Sequence, residues 1–153
     1  MSLTQYPNVA FYQNKAPSRA ASGRTGFHHE ILQWNDIALE REHCFIQWLF
    51  PNREEYWGKG AGVNSEAYNF SPEEAKVFRS SWELKNNVLE SFYRMLKFYG
   101  LKCIKGRSKQ KINEKMTEDK YLRATFSVVK EDNFVERQAN MDRNTHNYRR
   151  VTR

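Results

Sequence analysis

Polar and aromatic side chains of types that could bind a ligand occur in two blocks of the chain. The set consists of Trp34, His43, Gln47, Trp48, His146, Asn147 and Arg150. Arg150 could hold a peptide carboxylate through two parallel hydrogen bonds, and Trp34 or Trp48 could stack on an aromatic side chain of the ligand. The chemistry of such a pocket would be peptide binding. In the alternative interpretation, Gln47 and the histidines satisfy buried backbone groups and fix helix packing.

The sequence offers little that resembles a catalytic or metal-binding pattern. Cys44 directly follows His43, but neighbouring residues of a helix point apart, so the two do not form a nucleophile and its base. His28, His29 and Glu30 lack the spacing of a metal site, and no paired carboxylates or Ser-His-Asp set stand out. We therefore expect a protein that is not an enzyme and that holds no metal or cofactor.

The composition indicates a single soluble domain. A chain of 153 residues buries roughly 70% of its unfolded surface, which allows a real core. Two cysteines make no disulfide framework and suit a reducing compartment. The first residues lack the charged and apolar regions of a signal peptide, and the apolar run over residues 45–50 is far shorter than the ~20 residues of a membrane span. We expect an intracellular protein of the cytoplasm or the nucleus.

Positive charge is concentrated in the last third of the chain. The formal net charge is +7, yet residues 1–100 hold 11 basic and 11 acidic residues. The candidate basic patch consists of Lys102, Lys105, Arg107, Lys109, Lys111, Arg143, Arg149 and Arg153. Residues 101–153 could contact nucleic acid or an acidic protein, as in an accessory or structural subunit of a larger assembly. The alternative is a solvated basic segment, because acidic residues are interspersed and like charges form no long block.

The N-terminal composition indicates an extended arm. Residues 1–26 are rich in Ser, Gly, Ala, Asn and Pro, which favour turns and irregular backbone. Phe11 and Tyr12 could anchor the arm to a helical domain that is expected to cover residues 27–153.

Apolar spacing predicts two helices after the arm. The first covers residues 27–34, and the second covers residues 37–50 and is capped by Asp36. A strand over residues 44–50 is the alternative for the end of the second helix, because short apolar runs are ambiguous. Residues 52–70 contain three closely spaced glycines and are predicted to be a connecting loop.

The strongest local signal in the chain is the start of a long helix. Ser71 is a favourable N-cap, Pro72 suits the first helical position, and Glu74 completes a capping box. The helix is expected to run to Tyr99 and to end at Gly100 through a left-handed cap. Its apolar stripe consists of Phe78, Trp82, Leu89, Phe92, Leu96 and Tyr99, with Lys85 as the one polar member. Such a stripe predicts a face that is buried in the core.

The C-terminal third is harder to assign. Residues 102–120 are polar and Lys-rich and are predicted to be a mobile loop. Residues 121–129 fit both a strand and a helix, and we take the helix. Asn133 and Glu136 then form a capping pair for a last helix. The predicted fold class is all-α: a single compact multi-helix domain with an N-terminal arm and a Lys-rich loop.

Three blocks of the chain resemble the conserved region of the opioid growth factor receptor family. They are residues 31–51 with His43 and Gln47, residues 77–81 with residues 95–100, and residues 133–153 with His146, Asn147 and Arg150. Phe11, Tyr12 and Asn14 also fit the family's opening, and together these segments span most of residues 11–153 in order. Arg143 and Arg149 stand where the family has Trp and Leu, and residues 107–130 resemble an insertion or a diverged segment.

The resemblance implies an all-helical binding domain. The family is associated with nuclear growth regulation and with binding of the pentapeptide Met-enkephalin, and His43 and His146 match family positions. We therefore expect a domain that binds an enkephalin-like peptide or a protein. A basic subunit that contacts nucleic acid or acidic protein through residues 101–153 is the alternative.

Overall fold

The computed structural model describes residues 5–52, 64–108 and 123–144. In these ranges the elements are α1 Pro7–Tyr12, α2 His28–Gln33, α3 Asp36–Arg41, α4 Ile46–Leu49, α5 Pro72–Ser80, α6 Trp82–Phe98, β1 Leu101–Ser108, β2 Arg123–Lys130 and α7 Phe134–Arg143. The described chain is thus rich in helix, but the all-α prediction is wrong because β1 and β2 form a two-stranded antiparallel sheet.

The N-terminal segment contributes a helix to the core. Pro7 stands at the start of α1, where its fixed φ suits the first helical position. Phe11 and Tyr12 are fully buried, which confirms them as anchors. An extended conformation is therefore wrong for residues 7–12: the surrounding Ser, Gly and Pro suggested irregular backbone, whereas burial of two aromatic rings stabilises the helix.

The two helices predicted after the N-terminal arm have different outcomes. Helix α2 lies within the predicted residues 27–34. The helix predicted over residues 37–50 is divided into α3 and α4, because Glu42 takes an extended conformation and the carbonyl of Cys44 accepts a hydrogen bond from the Asn64 side chain. The N-cap of α3 is Asn35 rather than Asp36, and its Oδ1 accepts from the Ala38 amide at 2.9 Å.

The long helix predicted from Ser71 to Tyr99 is two helices. The Ser71–Glu74 capping box is confirmed, but Ser81 is extended, ends α5 and caps α6 through a hydrogen bond from the Leu84 amide. The break changes the register, so the buried positions of α6 are Leu84, Ser91, Met95, Leu96 and Phe98. The prediction that the whole stripe is buried is therefore wrong for Trp82, Leu89 and Phe92, which are 76%, 41% and 40% exposed.

The core is built mainly from short helices. Its most completely buried apolar side chains are Phe11, Tyr12, Ile31, Leu39, Phe45, Leu49, Leu84 and Phe98, each at most 1% exposed. The dense apolar run over residues 45–50 supplies Phe45, Ile46, Trp48 and Leu49 to this core. A single turn of helix, α4, can bury so much because it lies inside the domain rather than on its surface.

The C-terminal third begins with a hairpin strand. Gly100 has a φ of 72°, as predicted for a left-handed cap, and β1 follows at once. In the pairing, Leu101 faces Lys130 and Ser108 faces Arg123. The loop predicted for residues 102–120 is thus wrong over residues 102–108, and the helix predicted for residues 121–129 is wrong over residues 123–129. The alternating pattern of the second segment corresponds to a strand because this segment pairs with β1. Periodicity alone does not reveal whether such a partner exists.

The last helix is confirmed, although its predicted cap is not. Helix α7 begins after Asn133, but the Asn133 side chain accepts no capping hydrogen bond. Met141 is its buried residue. The rest of the predicted Lys-rich loop, at residues 109–120, lies outside the described ranges, as do residues 121–122 and 145–153. No helix in the described ranges is both long and apolar enough to span a membrane.

Candidate ligand-binding surface

The two tryptophans predicted to face a ligand lie in the core. Trp48 is 2% exposed; its indole N–H donates to the Arg19 carbonyl at 2.9 Å and its ring lies 5.3 Å from that of Phe11. Trp34 is 5% exposed, with Phe45 against its edge and the Arg24 guanidinium 4.5 Å from its ring centre. Both rings are therefore occupied by contacts within the protein.

The other predicted pocket residues are only partly described. Gln47 is buried on α4, and His43 is half-buried just before that helix. His146, Asn147 and Arg150 lie outside the described residues. A carboxylate site built on Arg150 thus stays a prediction.

The predicted basic patch is only partly described. Lys102 lies 3.6 Å from Glu131 in an exposed ion pair, which contributes little energy, and Arg143 is exposed at the end of α7. Lys105 and Arg107 belong to β1. The patch members outside the described ranges are Lys109, Lys111, Arg149 and Arg153. Contact of residues 101–153 with nucleic acid or an acidic protein thus stays a prediction.

A buried Ser-His pair links three helices. The Ser91 Oγ lies 2.8 Å from Nε2 of His28 and donates to the Asn87 carbonyl at 3.1 Å, while the Asn87 side chain donates to the Tyr12 carbonyl at 2.8 Å. Desolvation lowers the pKa of His28 to about 4, against a smaller raising effect of the Asn87 backbone. Since Ser91 is fully buried and its proton goes to a carbonyl, the pair is built to join helices.

Other reactive groups are similarly occupied. The Tyr12 hydroxyl donates to the Leu49 carbonyl, and burial raises the pKa of Tyr12. Burial also raises the pKa of the Cys44 thiol, with a further contribution from the Glu42 charge, and the thiol lies 3.3 Å from the Ser22 carbonyl. Among the described residues, no cluster of three His, Cys, Asp or Glu side chains could hold a metal ion.

The most distinctive exposed feature is the outer face of α6. Leu89, Phe92 and Tyr93 are 41%, 40% and 40% exposed and lie at spacings of three and four, so they share one helix face. We call these three residues the α6 ridge. Trp82 lies seven residues before Leu89 on the same face. Apolar side chains of this size, grouped along one helix, are typical of a recognition surface.

An apolar cavity borders the ridge on the side of α7. This α7 cavity encloses about 620 Å³ and is lined by Phe92, Met95 and Leu96 of α6 and by Phe134 and Met141 of α7. Phe50 also lines this cavity. Ligand pockets are commonly of this size and this apolar character.

A second cavity borders the ridge on the side of α5. This α5 cavity encloses about 610 Å³, and its apolar wall includes Phe50, Phe78 and Leu89. Arg79 and Lys85 also line it and are the charged residues among its described lining. Because Phe50 lines both cavities, the ridge and the two cavities form one continuous apolar surface.

This surface differs from the pocket that the sequence predicts. Sequence analysis identified Leu89 and Phe92 but assigned them to the core, and it treated Lys85 as a polar exception on the stripe. The available signal was that exception: a lysine in an apolar stripe can mark where the stripe leaves the core. The break at Ser81, which rotates the stripe outward, has a weak signal in the Ser80-Ser81 pair, because serine is less favourable inside a helix and is a preferred N-cap residue.

Comparison with known proteins assigns the family. The opioid growth factor receptor conserved region matches residues 2–153, and the chain belongs to that family. It is 33% identical over 153 residues to the human opioid growth factor receptor and 34% identical over 150 residues to the mouse protein, covering 96% and 95% of this chain. The mouse opioid growth factor receptor-like protein 1 is 31% identical over 149 residues, or 95% of this chain.

The chain spans only part of these relatives. It covers 18% of the human receptor, 19% of the mouse receptor and 26% of the mouse receptor-like protein. No solved structure matches the chain.

Proposed function

We propose that this chain is a non-enzymatic domain that binds a peptide or a segment of a protein on the α6 ridge and its two cavities. The observation that carries the proposal is the exposure of Leu89 and Phe92, which line the α5 and α7 cavities, with Tyr93 exposed on the same helix face. A single exposed apolar side chain is ordinary, whereas several large ones grouped beside cavities indicate a binding surface. Large aromatic residues next to pockets are the usual anchors of a binding interface.

The relatives agree with this reading. They are named receptors, and a receptor domain recognises another molecule rather than transforming it. An enkephalin-like peptide is the ligand that family membership suggests, with a role in growth regulation inside the cell, in the cytoplasm or the nucleus. The cavities are large enough for the aromatic and aliphatic side chains of such a peptide.

The test is a selection of peptides on the 153-residue chain. Random peptides displayed on phage would be selected against the wild-type protein, and Met-enkephalin would be titrated separately by calorimetry. Phe92→Asp places a charge at the centre of the surface. We expect it to lower the affinity for the selected peptides by about thirtyfold, which is the usual effect of losing an interface hot spot. Phe92→Ala is the milder variant, and unfolding measurements establish that both fold.

The matched control is Val135→Asp. Val135 is 78% exposed on α7. It directly follows Phe134, which lines the α7 cavity, so the Val135 side chain points away from the proposed binding surface. Peptides that bind wild type and Val135→Asp alike, but not Phe92→Asp, support the proposal. Absence of any selected peptide, or equal binding by Phe92→Asp, contradicts it. If other peptides are selected but Met-enkephalin does not bind, only the enkephalin-like part of the proposal is contradicted.

The basic-subunit function is the second candidate. Its support is the net charge of +7, all of which arises in residues 101–153. Binding through that segment would release counterions, so affinity for labelled duplex DNA or RNA would fall steeply as salt increases. A flat salt dependence, or no binding at low salt, contradicts this candidate and leaves the peptide-binding proposal untouched.

A further inference from the structure

The α5 cavity combines an apolar wall with positive charge. Among its described lining residues, Arg79 and Lys85 carry charge and none is acidic. Arg79 stands in the last turn of α5 and Lys85 in the first turn of α6, on either side of the break at Ser81. That break brings two basic side chains from different helices to one cavity, whereas in a continuous helix residues six positions apart would lie on different faces.

These two cations are available to a ligand. Arg79 and Lys85 are both exposed, and within the described ranges neither makes an ion pair. Two other basic residues of the described chain do make ion pairs: Arg94 lies 2.8 Å from Asp36, and Lys102 lies 3.6 Å from Glu131. The α5 cavity therefore presents positive charge that the described part of the protein does not neutralise.

We propose that the α5 cavity binds an acidic segment of a protein partner, one that carries a carboxylate next to an aromatic or aliphatic side chain. The apolar side chain enters the cavity beside Phe78 and Leu89, and the carboxylate meets Arg79 and Lys85 at its edge. This inference rests on the proposed function and specifies the partner's chemistry. A carboxylate held by arginine beside an apolar wall makes short, charge-assisted hydrogen bonds that are only partly screened by water.

The charge of the cavity favours this occupant over two others. A second copy of this chain, with its own net charge of +7, would meet like charge at the cavity and be repelled. Nucleic acid carries phosphates along its whole length and binds basic grooves rather than apolar cavities with two cations. A short acidic segment satisfies both the apolar and the charged part of the lining.

The experiment compares charge reversals in the 153-residue chain, using the peptides selected on wild type as probes. Arg79→Glu with Lys85→Glu reverses the charge of the cavity. We expect the selected peptides to be enriched in Asp or Glu beside an apolar residue, and to bind the double variant at least about tenfold more weakly. The same double variant, used for selection, should yield peptides enriched in Lys or Arg.

The matched control is Lys76→Glu with Lys97→Glu. Both residues are exposed, neither lines the α5 cavity, and the pair changes the net charge equally, so it isolates local contact from long-range attraction. We expect it to alter affinity by less than about threefold, as for charges at the edge of an interface. Arg79→Gln with Lys85→Gln, the milder variant, should give an intermediate loss and guards against misfolding.

The outcomes separate this inference from the proposed function. Peptides that lack acidic residues but still depend on Phe92 overturn the acidic-partner inference and leave the proposed function standing. Equal loss in the cavity and control double variants also overturns it, because the effect would then be general charge attraction. If no peptide is selected and the chain instead forms dimers that Phe92→Asp abolishes, both proposals are overturned. The surface would then bind a second copy of this chain.

Discussion

Glu74 joins the first and fifth helices through a buried carboxylate. It is 1% exposed, and its oxygens accept hydrogen bonds from the Asn8 amide at 2.8 Å, the Asn8 side chain at 2.9 Å and the Ser71 amide at 3.1 Å. Three N–H donors satisfy the acid without a charged partner. The capping box recognised in the sequence is thus also a tertiary contact.

Glu74→Gln tests this double role. The amide puts an N–H group where a carboxylate oxygen accepts hydrogen bonds, so at least one buried donor faces another donor, which costs about 2–3 kcal/mol. Urea unfolding at neutral pH would measure the loss. Glu73→Gln, at an exposed neighbouring position, is the control and should change stability by less than about 0.5 kcal/mol. Equal effects of the two would contradict a special role for Glu74.

His28 should make stability depend on pH. Its folded pKa is about 4, below the unfolded value of 6.5, so the unfolded state binds the proton more readily and stability falls as pH drops from 6.5 towards 4. Between about pH 7 and about pH 4.5 the expected loss is about 2 kcal/mol. Unfolding curves across this range, compared with those of His28→Gln, would isolate the contribution of His28.

His29→Gln is the matched control for that experiment. His29 is exposed on the same helix, and its charge is the smallest of the causes that set the pKa of His28, so most of the stability loss at low pH should persist in His29→Gln. His28→Gln should lower stability at neutral pH, since it disturbs the contact with Ser91, but it should flatten the curve below pH 6.5. An unchanged curve in His28→Gln would contradict the assignment.

At the scale of elements, Ser81 decides how α5 and α6 are arranged. Its extended backbone ends one helix, and its hydroxyl accepts from the Leu84 amide at 3.2 Å to begin the next. This arrangement turns Leu84 inward and Leu89 and Phe92 outward. The exposed ridge and the pairing of Arg79 with Lys85 at one cavity both follow from this single break.

Ser81→Ala removes the side-chain cap of α6. We expect a loss of about 1 kcal/mol, the usual cost of replacing a serine N-cap by alanine, measured by urea unfolding. Ser80→Ala is the control, because Ser80 is exposed and its hydroxyl bonds only to the Val77 carbonyl of its own helix. A larger loss in Ser80→Ala than in Ser81→Ala would show that the cap does not hold the break.

At the scale of the whole molecule, the N-terminal helix is part of the centre. Phe11 lies against Tyr12, His28 and Trp48 at ring distances of 5.3 to 5.6 Å. These contacts connect α1 to α2 and α4, so the core cannot close without residues 7–12. The ridge, by contrast, lies on the outside of the same domain and can change without disturbing the core.

Phe11→Ala and Trp82→Ala test this distinction with two large aromatic residues. Phe11 is fully buried and Trp82 is 76% exposed. Phe11→Ala should cost about 3–5 kcal/mol, because it removes apolar contacts and leaves a cavity, a large part of the stability of a domain of this size. Trp82→Ala should cost less than about 1 kcal/mol. Denaturant unfolding of both variants would measure the difference, and similar losses would contradict it.

The sequence by itself determined the family, the presence of most helices and several of their ends. The Ser71 capping box, the Gly100 cap and helices α2 and α7 depend on local hydrogen bonds and on residue conformations that neighbouring positions fix. The dense run over residues 45–50 was also placed correctly in the core, because no surface element carries so many large apolar side chains.

Only the tertiary structure decided which apolar faces are buried and where a ligand could bind. Tyr12 is held by contacts with residues far along the chain, β1 and β2 exist because they pair, and the break at Ser81 turns Leu89 and Phe92 towards solvent. Periodicity shows that a helix has an apolar face, but the packing of the neighbouring helices determines whether that face meets the core. The candidate site lies where an apolar helix face does not meet the core, on the ridge beside the α5 and α7 cavities.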